Sequence, residues 1–228
     1  MNIYIILFSI SIFVLWKIYY HIKAKRSLQR RMEIGKIGEE ETIQILEQLS
    51  GKKQILRNLY IPMKSGIATT EIDAVMIHAK GIFVIENKNY AGKIIGKEND
   101  YQWTQIRRQN GKRIFRTFYN PIRQNEGHIR HLKQLLENEC NETYISRLPY
   151  ISLITFNDRA RLGHIKIRSS DVVVLENRKL RRKLWWKLLW MRKRINGRQI
   201  EKISKELRRF ENPGKHIQKQ HSRFYKRF

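Results

Sequence analysis

With 228 residues, 41% of them hydrophobic, the chain has apolar material for one ordinary domain core with flanking segments and too little for two full domains. Its net charge of +27 sits mainly on the flanks, with six basic residues and no acid from Lys17 to Arg31, and nineteen basic against three acidic from Arg178 to Phe228; this favours polyanions, either nucleic-acid phosphates or the anionic inner leaflet of a membrane. Cys140 is the only cysteine and the seven histidines fall at no recognised zinc spacing, which excludes an intrachain disulfide and a cysteine-clustered zinc site and fits a reducing compartment.

Asn2 to Trp16 carry no charge, and Ile18, Tyr19 and Tyr20 extend the run if Lys17 snorkels toward the headgroups. About twenty residues at ~1.5 Å rise span the ~30 Å hydrocarbon layer, so an N-terminal transmembrane helix is expected over residues 1–22. No basic n-region precedes the run and no small-residue cleavage site follows it, which favours an anchor over a cleaved signal peptide. Lys23, Lys25, Arg26, Arg30 and Arg31 follow in a basic juxtamembrane linker over 23–34. The positive-inside rule then predicts a single-pass membrane protein with its N-terminus outside and its domain in the cytoplasm. A buried or interfacial helix is the alternative, because the strictly uncharged part is short.

Ile43, Leu46 and Leu49, with Ile45 beside them, recur at helical spacing over 38–49, with acids in the first turn. Residues 54–61 predict a strand stopped by Pro62. Residues 71–88 form two apolar strands about a short turn, and a second hairpin follows around Asn110-Gly111, the strongest short hairpin signal. Asn120-Pro121 opens a helix running to about Glu139, with Ile122, Ile129, Leu132, Leu135 and Leu136 on one broad side. Strands are expected over 150–156 and 171–175, the second apolar enough to predict burial on both faces. Two basic helical segments, about 178–193 and 199–210, precede a polar tail expected to be disordered. This order predicts an α/β domain over 35–177 with a mixed sheet covered by helices on both sides, then a basic helical segment over 178–228.

In an antiparallel hairpin, partner residue numbers add to a constant. A turn centred on Ala79-Lys80 therefore places Asp73 opposite Glu86 and Glu71 opposite Lys88, with all four side chains on one face at the far end. Carboxylates with Cβ atoms ~5 Å apart raise each other's pKa unless a cation lies between them. A divalent metal meets that need, and Lys88 is placed to hold the water or phosphate oxygen bound to it. A charged end of a solvated hairpin is the other reading. Against it, these carboxylates end strands that read as buried, where an unpaired charge is costly. A three-residue turn spoils the register.

Gly35-x-x-Gly38-Glu39, Glu71-Ile72-Asp73, Gly81-Ile82-Phe83-Val84-Ile85-Glu86-x-Lys88-Asn89, Gly92, Trp103 and Asn120-Pro121-Ile122-x-Gln124-Asn125 followed by His128 stand in order over about residues 33–140. The set resembles the nuclease-related (NERD) domain family, whose members look like distant relatives of the PD-(D/E)XK nucleases, the superfamily of many restriction enzymes and Holliday-junction resolvases. The resemblance implies a restriction-endonuclease-like fold and metal-dependent hydrolysis of phosphodiester bonds, in DNA foremost. It implies that Asp73 and Glu86 hold Mg²⁺ (or Mn²⁺), with the Asn87 carbonyl as a third ligand. Lys88 is then expected to position or deprotonate the attacking water and steady charge on the phosphorane. Glu39 is expected to bind a second metal or a metal-bound water, and Gln124 to orient substrate or a ligand. Ile72 departs from the proline of the superfamily name, at a position that varies widely. His128 also matches a helical family position, although a helix-face histidine is more often structural. Glu71 is expected to pair with Lys88 across the strands.

Arg107, Arg108, Lys112, Arg113 and Arg116 lie close to Trp103, Phe115 and Tyr119. Basic residues interleaved with aromatics suit a phosphate backbone with occasional base stacking, and a solvated hairpin is the alternative. Trp185, Trp186 and Trp190 among Lys and Arg suit either a membrane interface or packing on the domain. Two functions follow: a membrane-anchored nuclease, or a catalytically silent module of the same fold that tethers nucleic acid or another partner to the membrane. Anionic lipid is a further expected partner.

Overall fold

A computed structural model describes residues 3–63, 68–140, 142–214, 217, 218 and 221; the side chains through Ile12 lie outside the described residues. The chain divides into two compact units, Met1–Gly38 and Glu39–Phe228. Helix α1 runs from Ile3 to Glu47. Strands β1 (Lys53–Pro62), β2 (Thr69–His78), β3 (Gly81–Lys88), β4 (Gly92–Lys97), β5 (Gln102–Gln109) and β6 (Lys112–Tyr119) follow, then helix α2 (Pro121–Cys140). Strands β7 (Tyr150–Phe156), β8 (Ala160–Lys166) and β9 (Val172–Glu176) and helices α3 (Asn177–Trp190) and α4 (Gly197–Arg208) complete the order.

The strands form two sheets, a five-stranded one in the order β1-β2-β3-β7-β9 and a four-stranded one in the order β6-β5-β4-β8. The first is mixed: β1, β2 and β3 pair antiparallel, while β3, β7 and β9 are parallel. Helices cover both its faces, as expected of an α/β domain. On one face Leu132 and Leu136 of α2 and Ile200, Ile203 and Leu207 of α4 bury Val75, Ile77, Ile82 and Val84. On the other, Ile43 and Leu46 of α1 and Leu180, Leu184 and Leu188 of α3 bury Ala74, Met76, Phe83 and Ile85. A third core joins Ile94, Trp103, Ile122, Ile154 and Phe156. Burial at ~25 cal/mol per Å² of apolar surface makes these contacts the main stabilising term.

Several expectations need correction. The sequence predicts one sheet, and the second arises from β4 and β8, short amphipathic segments whose parallel pairing no local pattern reveals. Strand β9 lies at a sheet edge with Val172, Val173 and Val174 only half-buried, because among the described residues no strand pairs with its outer side. Among the described residues no helix is long and apolar enough to cross a membrane, so the anchor expected over 1–22 is not supported. Within that run the side chains are described only from Phe13 onward. Most of the tail expected to be disordered also lies outside the described residues.

Candidate active site

Strands β2 and β3 pair from His78↔Gly81 to Ala74↔Ile85, the register that the two-residue turn Ala79-Lys80 dictates. Beyond that rung they part. Strand β2 continues with β1 as far as Thr69↔Pro62, whereas β3 follows β7 as far as Lys88↔Phe156. Asp73 and Glu86 stand on the two lips of this opening. Asp73 Oδ2 accepts the Asn87 backbone N–H at 2.7 Å, which takes the place of a ladder rung. Because successive strand side chains alternate, Glu86 and Lys88 face α2 while Asn87 faces α1, where Thr42 and Thr155 hydroxyls donate to its Oδ1.

The Lys88 ammonium donates to Glu86 Oε1 at 2.6 Å and to Gln124 Oε1 at 2.9 Å. His128, one turn along α2 from Gln124, lies 3.3 Å by its Nε2 from Glu86 Oε2, and its Nδ1 shares a 2.7 Å hydrogen bond with Thr70 Oγ1. Asn120 starts the helix: its Oδ1 accepts the Ile122 N–H at 2.9 Å, and its amide donates to the Glu98 and Asp100 carbonyls at 2.8 and 2.7 Å. Asn125 fixes the helix to the sheet by donating to Val84 O and Ser152 Oγ at 2.8 and 3.0 Å. The Asn-Pro-Ile-x-Gln-Asn run is thus a cap, a core contact, a site contact and a sheet tie in one turn and a half.

Burial, and after it the Glu86 charge, hold the Asp73 carboxyl well above the usual carboxylate range, and Glu39 adds to the effect while the Asn87 N–H and Lys88 oppose it. Burial also pushes Glu86 up, but the neighbouring His128 and the Lys88 charge outweigh it and hold Glu86 below its ordinary value. Burial pulls Lys88 down, and Glu86 more than offsets this, leaving Lys88 raised and charged. Glu86 is 3% exposed. Its Oε2 makes no hydrogen bond of acceptable geometry, although His128 Nε2 comes within 3.3 Å of it. A buried carboxylate oxygen of this kind, facing a second carboxylate that resists ionisation, fits a divalent cation. Among the described residues, no group of three or more His, Cys, Asp or Glu converges to hold a metal unaided, so such an ion would need Asp73 and Glu86 together with a main-chain carbonyl such as that of Asn87.

The site opens into a cleft of about 480 Å³ lined by Thr70, Asp73, Tyr119, Arg123, Gln124 and His128 among others. Glu71 does not pair with Lys88, because the strands have parted at that point. Instead Tyr60 Oη donates to Glu71 Oε1 at 2.7 Å and His221 stands 3.5 Å from Oε2. Sequence reasoning missed Thr70, Thr42 and Thr155, lone hydroxyls without a motif, and undervalued His128, which touches Glu86 directly. A separate groove of about 750 Å³ holds Arg107, Arg108 and Arg113 with Lys93, Arg161 and His164. Lys112 and Arg116 are exposed on the same hairpin but do not line it. Arg161 and His164 come from β8, which the sequence did not reveal.

An uncharacterized protein of Bacillus anthracis is 34% identical over 145 residues, which is 62% of this chain and 61% of that protein. The chain therefore spans less than two thirds of that relative's length. No solved structure matches it. The nuclease-related domain (NERD) family matches residues 34–157, more than half of the chain, and the chain belongs to that family.

Proposed function

We propose that this protein is a metal-dependent nuclease that hydrolyses phosphodiester bonds, in DNA foremost. The observation that carries the reading is the 2.6 Å contact of Lys88 with Glu86 beside Asp73 at the point where two strands part. Asp73, Glu86 and the Asn87 carbonyl would hold Mg²⁺ or Mn²⁺, which when bound neutralises phosphate charge and makes water a stronger acid. Lys88 donates to a phosphate oxygen or to the attacking water, and Gln124 holds it in place. Thr70 fixes His128, whose Nε2 stands beside the second Glu86 oxygen. Glu39, whose charge reaches Asp73, is the side chain suited to a second metal or a bound water. The basic groove supports a grip on phosphates away from the cleft.

We place the protein at a membrane, with its domain on the cytoplasmic side. The exposed Phe13, Leu15, Trp16 and Tyr19 followed by Lys23, Lys25 and Arg26 support this position. The test is cleavage of single-stranded, duplex and branched DNA and of RNA by the full chain with Mg²⁺ or Mn²⁺. Asp73→Asn and Lys88→Met are expected to abolish cutting while leaving the fold intact. Salt-sensitive DNA binding that survives in Asp73→Asn, with no cutting by the unmodified chain, would select the silent tether instead.

A further inference from the structure

Helix α3 is apolar on two opposite sides. Leu180, Leu184 and Leu188 recur every fourth residue, are at most 5% exposed, and join the core below the first sheet. The C-terminal half of the same helix also presents Trp185, Trp186, Leu189 and Trp190, exposed by 49%, 50%, 54% and 81%. At 3.6 residues per turn these four lie opposite the leucine stripe. Arg182 and Lys183, both exposed, continue that outer side one turn earlier. The outer face is therefore cationic at its start and aromatic at its end. Trp185 and Trp186 meet edge to face at 5.0 Å, so part of the indole surface forms one patch. Exposed apolar patches on this scale mark interaction surfaces.

The charge around the patch selects its occupant. Residues 177–200 contain no Asp or Glu, and Arg181, Arg182 and Lys183 pair with no carboxylate among the described residues. A second copy of the chain, docking isologously, would set these cations against their own images. Nucleic acid is held in extended grooves that track a backbone, whereas these residues stand along one helix and only Trp185 and Leu189 border a cleft, a small one of about 200 Å³. An anionic bilayer meets both demands: indoles favour the headgroup level, and Lys and Arg favour lipid phosphates. We propose that the outer face of α3 is a docking surface for anionic phospholipid. Trp185, Trp186 and Trp190 enter the headgroup layer, and Arg182 and Lys183 lie against its phosphates. This contact is separate from the N-terminal segment and needs no catalysis.

The test uses the full chain with Trp16→Phe, so that the emission comes from buried Trp103 and the three indoles of α3. It is mixed with vesicles of phosphatidylcholine, with or without phosphatidylglycerol, whose acyl chains are brominated near the headgroup. The expected result is quenching that requires phosphatidylglycerol, with at least about a tenfold loss of apparent lipid affinity in Arg182→Glu/Lys183→Glu. Equal quenching without phosphatidylglycerol overturns the proposal, as does continued access of aqueous iodide to the indoles on phosphatidylglycerol vesicles. Lipid-free burial of the indoles that grows with protein concentration, or protection by an oligonucleotide alone, assigns the face to a second copy or to nucleic acid and also overturns it. Attachment to pure phosphatidylcholine vesicles reports on the N-terminal segment, so that reading fails or holds separately.

Discussion

Gln124 Oε1 accepts the Lys88 ammonium at 2.9 Å, a direct tie between the first turns of α2 and the last residue of β3. Gln124→Leu keeps the volume and leaves Lys88 with Glu86 alone. The expected outcome is a fall in cleavage rate of about 10- to 100-fold, the usual effect of losing a group that orients a metal-site residue. Plasmid nicking measures the rate, and thermal melting checks that the fold is kept.

Asp73 and Glu86 oppose each other's charge in a buried site. Asp73→Asn removes that repulsion, and its side-chain oxygen can still accept the Asn87 N–H. The metal-free variant is expected to gain on the order of 1 kcal/mol, or about 2–4 °C in Tm, while losing cleavage and the stabilising effect of added Mg²⁺. Parallel melts with chelator and with metal give both numbers. A large loss of stability without metal would count against the site as described.

His78 is buried, its Nε2 lies 3.1 Å from Ser50 O and its Nδ1 accepts the Lys80 N–H at 3.2 Å. The proton therefore sits on Nε2, and a second proton would break the Lys80 bond that shapes the hairpin turn. Burial accordingly holds the His78 pKa below its ordinary value of 6.5. The unfolded chain takes up this proton first, so stability is full above that value and falls as the pH drops below it. The slope contributed is at most about 1.4 kcal/mol per pH unit. Urea titrations of the native chain and of His78→Gln at pH 8 and pH 5 should show the extra acid sensitivity only in the native chain.

Gly96 lies under the indole of Trp103, and a Cβ there would enter the ring's van der Waals envelope. Trp103 is 1% exposed and donates to Lys97 O at 2.9 Å, so it has little room to retreat. Gly96→Ala is expected to cost about 1–3 kcal/mol by overpacking, read as a lower urea midpoint and a red-shifted Trp103 emission.

Arg108 and Arg113 face each other directly across β5 and β6. Like charges so placed destabilise a hairpin by roughly 0.2–1 kcal/mol. Arg113→Glu converts the pair to an attractive one, so the hairpin gains stability while nucleic-acid affinity drops and the slope of log affinity against log salt becomes shallower by about 1 or more. Binding isotherms at several salt concentrations, set beside hydrogen exchange of the hairpin, separate the two effects.

Much of this arrangement is legible in the residues. The Ala79-Lys80 turn sets the β2–β3 register, and Asn110 and Gly111 adopt positive φ values of 49° and 76°, as a two-residue hairpin turn requires. Helix α2 begins where Asn120-Pro121 indicates. The parting of β2 from β3 is not legible, because it depends on which third strand each prefers. That choice sends Glu71 to Tyr60 and brings Asp73 to the Asn87 amide. Pairing of β4 with β8 joins segments more than sixty residues apart, and the contacts of Thr70 and His128 join a strand to a helix. Local periodicity has no access to either.

Asn87 is gripped from behind the sheet, by Thr42 at 2.8 Å and by Thr155, both of which are buried. The setting of its backbone, and with it the aim of its N–H at Asp73, is consequently governed from the layer that faces away from the cleft. Mutagenesis confined to the cleft wall would never sample this rear adjustment, although a single methyl-for-hydroxyl exchange there can detune the front.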